Sequence, residues 1–256
     1  MDDLAATVRR HDPDRYYCAL FAPASLHPAL FTLYAFNHEL ARAQEVAREP
    51  GLALIRLHWW REVVEGAARR HEVATPLRAL LDAGALQRAV LLSMIDSREA
   101  ELEPPTTLED FIARMKAGPG ALAAAAGCLL GADDAAQARL RTLGAAYGVA
   151  GTLGNVAALA RHERCALPLD VLHAAGLAPH AAFSDPRAVQ AAVWPALAAR
   201  GLALLGKPVR LPRAVAAAGL PGVLAWRDLR RGVPAAGARG VGDRIAVMVA
   251  AARSKV

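Results

Sequence analysis

Apolar residues recur along most of the chain at three- and four-residue intervals, the spacing of a buried helical face. The clearest run is Leu30, Leu33, Tyr34, Asn37, Leu40, Ala41 and Gln44, which predicts one long helix from Pro28 to about Arg48. Proline suits a first helical turn, where its missing N–H is not needed, so Pro28 marks the start. Such a helix would run roughly 30 Å, the width of a small domain, and serves as a central strut. Pro50 and Gly51 break the pattern, and Leu54, Leu57, His58, Arg61 and Glu62 predict a second helix returning along the first.

The rest of the chain reads as further helices between turns. Asp2 caps a short helix ending near His11, and Asp12-Pro13-Asp14 is a turn and a new cap. Thr75-Pro76 opens a helix that Gly84 closes, and Leu86 to Glu101 forms the next. One side of the latter carries Asp96 and Glu99, with Glu103 beyond, either a solvated face salted with Arg98 or a metal-binding row. Thr107-Leu108-Glu109-Asp110 is a capping box, and Gly118 to Leu130 is alanine-rich and suited to a close helix crossing. Asp133 caps a predicted helix reaching His162, along which Gly144, Gly148, Gly151 and Gly154 fall on nearly one face. Each costs about 1 kcal/mol relative to alanine, so the row needs a reason: tight packing or room for a ligand. Pro186 to Leu205 is a helix that Pro195 should kink or divide, and helices near Val223 to Arg231 and Asp243 to Arg253 end the chain around a Gly- and Pro-rich loop.

Composition narrows the class. Alanine is abundant, β-branched residues are sparse, and Gly and Pro fall between the periodic segments, so one all-α domain over residues 1–256 is expected. The net charge of +6 comes mostly from dispersed arginine and permits acidic partners without selecting one. No nucleic-acid-binding motif accompanies it. Arg227, Arg230 and Arg231 lie at i, i+3 and i+4 with Trp226 beside them, either a basic face for a membrane surface or a solvated face around a core tryptophan. Cys18, Cys128 and Cys165 lack metal-binding or disulfide spacing. The N-terminus is too polar for a signal peptide, and the apolar run Gly118 to Ala132 is too short to span a bilayer. These features point to a cytoplasmic protein, with peripheral association at the inner membrane left open.

Several stretches resemble the squalene/phytoene synthase family in order and spacing: Tyr34-Ala35-Phe36, His58-Trp59-Trp60-Arg61-Glu62, Thr107 to Phe111, and Leu153-Gly154-Asn155 running on to Leu167-Pro168-Leu169-Asp170. The resemblance covers nearly the whole chain. It implies a prenyl-synthase-like helical bundle around a central cavity, in which two DxxxD clusters on facing helices hold magnesium against prenyl diphosphates. Hard Mg²⁺ needs oxygen ligands, and an i, i+4 pair puts two carboxylates on one helical face.

This chain departs from the family at both clusters. Ala41 and Glu45 stand at the first, Leu159 and Glu163 at the second, so the leading aspartate is missing twice. Asp14-Arg15 replaces the Ser-Phe pair of the diphosphate pocket, His38 an arginine, and Thr152 a glutamine. Tyr17, Tyr34 and Asn155 keep the family type, and with Asn37 and His38 they form the candidate substrate-facing set. No cofactor is expected, Mg²⁺ entering only if synthase activity is retained. Zinc on His38 with Glu39 and His162 with Glu163 is a minor alternative.

The departures themselves resemble one branch of that family, the complex I assembly factor of mitochondria and its bacterial relatives. Asp12, Tyr16, Cys18, Pro23, Ala35-Phe36-Asn37, Glu39-Leu40-Ala41, Gly51 and Trp59-Trp60 carry that likeness. It implies a non-catalytic protein whose partners are the components of a respiratory complex. The alternatives are a diverged prenyltransferase, or a protein holding an isoprenoid lipid in the cavity.

Overall fold

The computed structural model describes residues 2–45, 50–232 and 239–256. Among them the regular secondary structure is helical, with one isolated β-bridge between Arg210 and Lys255 and no strand. The helices are α1 (Asp2–His11), α2 (Pro13–Ala19), α3 (His27–Glu45), α4 (Pro50–Glu65), α5 (Ala74–Asp82), α6 (Arg88–Ala100), α7 (Leu108–Ala117) and α8 (Pro119–Leu129). There follow α9 (Asp134–Gly154), α10 (Val156–Ala160), α11 (Leu169–Ala174), α12 (Ala181–Ser184), α13 (Pro186–Leu205), α14 (Arg213–Gly219), α15 (Pro221–Arg231) and α16 (Val241–Arg253).

Local chemistry explains many boundaries. Asp12 caps α2 by accepting from the amide of Arg15, Thr107 caps α7 through Asp110, and Asp133 caps α9 through Ala136. Pro50 is not a break before α4 but its first residue, where proline is tolerated. The end predicted for the strut, at Arg48, lies outside the described residues.

Two helices form the frame. α3 is packed by α1, α4, α5 and α8, its Phe36 ring meeting Trp60 of α4 edge to face at 5.4 Å. α9 is enclosed by α7, α8, α13 and α15. The glycine row on α9 has both of the reasons offered for it, divided along the helix. A Cβ on Gly144 would lie 2.5 Å from the Pro119 carbonyl and 2.6 Å from the Ala123 Cβ, so this glycine sets the α8–α9 crossing. A Cβ on Gly151 would meet nothing within 4 Å, and Gly151 faces a cavity instead.

Three features depart from the predicted pattern. The helix expected to reach His162 stops at Gly154, where Asn155 leaves helical geometry and buried Gln190 of α13 donates to the Leu153 carbonyl. Helix α13 runs unbroken through Pro195. It is also long and apolar enough to cross a membrane by length and composition, yet Val189, Val193 and Leu197 are buried in the core. Finally, the acidic row on α6 is held by Arg61 of α4, at 2.6 Å from Asp96 and 3.0 Å from Glu99, while Arg98 pairs with Glu101.

Candidate functional site

Between α3 and α9 lies a cavity of about 1890 Å³, walled also by α2, α7, α10, α13 and the start of α16. That exceeds the roughly 300–1,000 Å³ of ordinary small-molecule pockets. Apolar wall comes from Phe111, Met115 and Leu159, and the glycines of α9 leave one side shallow.

A charged network forms part of the wall. The Arg15 guanidinium lies 2.7 Å from Asp12 and 4.7 Å above the Tyr147 ring. The Tyr147 hydroxyl donates to Asp14 at 2.9 Å. Arg239 donates to the same carboxylate at 2.7 Å and to Asp228 at 2.6 Å, tying α2 to α15. Burial pushes the Tyr147 phenol well above its usual range, with Asp12 and Asp14 adding to the effect. Burial raises Tyr34 likewise. Burial strips solvent from the Arg15 guanidinium, but the adjacent Asp12 carboxylate outweighs that loss and holds it charged. At neutral pH the network therefore consists of neutral phenols and arginines neutralised by carboxylates.

The predicted site residues divide. Ala41, Asn37, Leu159 and Asn155 line the cavity, with Thr152, Asp14 and Arg15. Asn37 accepts from Arg98 at 3.4 Å. Tyr17, Tyr34 and His38 do not line it. Tyr17 turns away to donate to the Arg244 carbonyl at 3.4 Å, Tyr34 is buried in the core, and His38 stacks on His11 at 4.1 Å. The family resemblance placed these three side chains toward the cavity, but placement depends on neighbours that spacing does not reveal. The side chain of Glu45 lies outside the described residues.

Glu163 has a specific backbone role. The amide of Arg164 bonds the Leu159 carbonyl at 3.1 Å, and that of Glu163 bonds Ala160 at 3.0 Å, with Glu163 at φ 52°. This is the Schellman termination of a helix, whose left-handed position usually belongs to glycine. Leu159 and Glu163 are thus not two steps on one helical face, because the helix has ended between them.

A magnesium cluster does not fit the residues the cavity presents. The side chains of Ala41 and Leu159 offer no oxygen, the carboxylates of Asp12, Asp14, Glu101, Asp228 and Asp243 are each bound by arginine, and Glu103 alone cannot make a cluster. Among the described residues no three His, Cys, Asp or Glu side chains converge as metal ligands. Arg161 and Arg187 line the cavity with no acidic partner among the described residues, and Glu103 is the one lining carboxylate there without a bound arginine. The network through Tyr147 and Arg239 was invisible to spacing rules. The one local signal was the Asp-x-x-Arg turn at Asp12 and Arg15.

The sequence matches the squalene/phytoene synthase family model over residues 8–248. The human "NADH dehydrogenase (ubiquinone) complex I, assembly factor 6" is 30% identical over 100 residues, covering 38% of this chain and 30% of that protein. Its Drosophila melanogaster homolog is 27% identical over 184 residues, covering 64% of this chain and 53% of that protein. The chain therefore spans about half or less of the curated relatives it matches. Squalene synthase HpnC from Alicyclobacillus acidocaldarius superposes with a TM-score of 0.68 at 16% identity, covering 99% of this chain and 93% of that one. A dehydrosqualene synthase in complex with ligand gives 0.75 at 14% identity, covering 98% and 94%.

Proposed function

This chain belongs to the squalene/phytoene synthase family, and we propose that it acts there as a non-catalytic protein in the assembly of a respiratory complex. The observation that carries this reading is the cavity wall itself. Where the family resemblance implies the leading aspartates, the wall has Ala41 and Leu159, and Glu163 terminates a helix. Ionisation of a prenyl diphosphate leaves a growing negative charge that a metal must neutralise. Arg161 and Arg187 could hold such an anion but could not arrange oxygen-rich metal sites around it. The matches to curated assembly factors support the biological side of the proposal.

Two measurements test it together. Pure protein incubated with farnesyl or geranylgeranyl diphosphate and Mg²⁺ should form neither squalene nor phytoene. In cells lacking the chain, a variant carrying Glu45→Ala and Glu163→Ala should restore assembled complex I as well as the natural sequence does. Product at ordinary enzyme rates, or failure of that variant alone, would favour the diverged prenyltransferase.

The size of the retained cavity favours one second reading. A space of about 1890 Å³ with apolar wall, and with Arg161 and Arg187 lacking an acidic partner among the described residues, suits an isoprenoid lipid with an anionic head, held without turnover. Extraction of the purified protein with organic solvent and mass spectrometry of the extract tests this directly. A stoichiometric isoprenoid supports it, and a clean extract from protein made in cells rich in such lipids counts against it.

A further inference from the structure

Charge is unevenly placed along this molecule. Ten of its thirty basic residues, but only two of its twenty-four acidic ones, fall within residues 207–256. Both acids are already engaged: Asp228 by Arg239, and Asp243 by Arg227 at 2.6 Å and Arg231 at 2.7 Å. The basic trio read from sequence as one face is thereby split. Arg227 and Arg231 turn inward to Asp243, while Arg230 stays exposed and stacks over Trp226 at 4.9 Å. Arg230, Arg244, Arg253 and Lys255 are exposed and have no acidic partner among the described residues.

Helix α16 supplies an apolar counterpart that the sequence reading passed over. Val241, Ile245, Met248 and Val249 are 74%, 52%, 53% and 43% exposed. Helical spacing gathers them, with Ala252, in an arc of about 100°. The opposite side carries Asp243 and Val247, both buried against the body. Arg244 and Arg253 stand on the two borders of the stripe, one on each side. On neighbouring α15, Trp226 is also 44% exposed, and a tryptophan with an apolar body and a polar N–H suits the boundary of water and lipid headgroups.

We infer that the outward face of α16, with Trp226 and Arg230, docks this protein reversibly on an anionic phospholipid surface. An apolar stripe with cationic edges is the arrangement of a helix lying in the membrane plane, its side chains entering between headgroups while arginines meet phosphates. Charge argues against a second copy as the occupant, since two such faces would set arginine against arginine. The inference holds whether or not the cavity is catalytic.

Vesicle co-sedimentation of the full chain tests it. The protein should sediment with vesicles of phosphatidylglycerol mixed into phosphatidylcholine and stay in solution with phosphatidylcholine alone, and salt should release it. The double variant Ile245→Asp with Met248→Asp changes exposed side chains and should keep the helical circular-dichroism spectrum while losing about tenfold in partitioning. Arg244→Gln and Arg253→Gln should each lose roughly fivefold. Leu54→Asp with Ile55→Asp, on the exposed part of α4, should bind as the natural protein does. Failure to bind either vesicle at low salt would overturn the proposal. So would loss of binding in the α4 variant alone, or sedimentation velocity showing a dimer that the α16 variant converts to monomer.

Discussion

Arg239 and Asp14 stand 225 residues apart in the chain, and their side chains meet at 2.7 Å in the cavity wall. The pair joins the second helix of the fold to the segment before the last, with Asp228 as the second acceptor. Burial strips solvent from Arg239, but the two carboxylates outweigh that loss and hold it firmly charged.

Removing this arginine should therefore be costly. Arg239→Ala leaves Asp14 and Asp228 largely buried without the arginine that bridges them, and unfolding in urea should show a loss of about 2–3 kcal/mol. Arg239→Lys keeps the charge but not the fork that serves two carboxylates, and should recover about half of that loss.

The glycine row predicts opposite outcomes from one substitution. Gly144→Ala forces a methyl against the backbone of Pro119 and should destabilise by about 1–3 kcal/mol. Gly151→Ala meets open space on the same helix and should stabilise by up to about 1 kcal/mol. Thermal unfolding of both variants decides whether the row is divided by function as the packing indicates.

Asp243 gives the molecule an acid-sensitive joint between α15 and α16. Hydrogen bonding to Arg231 and then Arg227 outweighs burial and lowers its carboxyl from 3.8 to about 2. A folded-state value below the unfolded one adds stability that is full above about pH 4 and lost as pH falls toward 2. The gain is about 2 kcal/mol before allowance for the partial exposure of Arg231. Asp243→Asn should abolish that part of the slope, seen as a flatter dependence of the urea midpoint on pH between those limits.

What the sequence disclosed and what it hid follow from the range of the forces involved. The strut α3 and the caps at Asp12, Thr107 and Asp133 were legible because periodicity and capping act within one or two helical turns. The break between α9 and α10 was not, since Gln190 from another helix completes the end of α9. Nor could spacing show that Asp243 would claim Arg227 and Arg231, or that Tyr17 would turn from the cavity to Arg244. Of the candidate site, the residue types were readable and the partners were not.

Glu163 offers the sharpest test of how this cavity differs from a metal site. A non-glycine residue in the left-handed region carries strain of about 1–2 kcal/mol, because its Cβ crowds the following carbonyl. The hydrogen bonds from Arg164 to Leu159 and from Glu163 to Ala160 hold it there and end α10. If the position serves only to terminate the helix, Glu163→Gly removes the strain and should stabilise the protein by about 1 kcal/mol. If instead the carboxylate were a metal ligand, the same change would weaken any rise in melting temperature produced by Mg²⁺ with inorganic diphosphate. A melting curve that rises in Glu163→Gly, and responds to Mg²⁺ and diphosphate as the natural protein does, is the expected result. A variant that is no more stable, and has lost a response the natural protein shows, would return Glu163 to the metal.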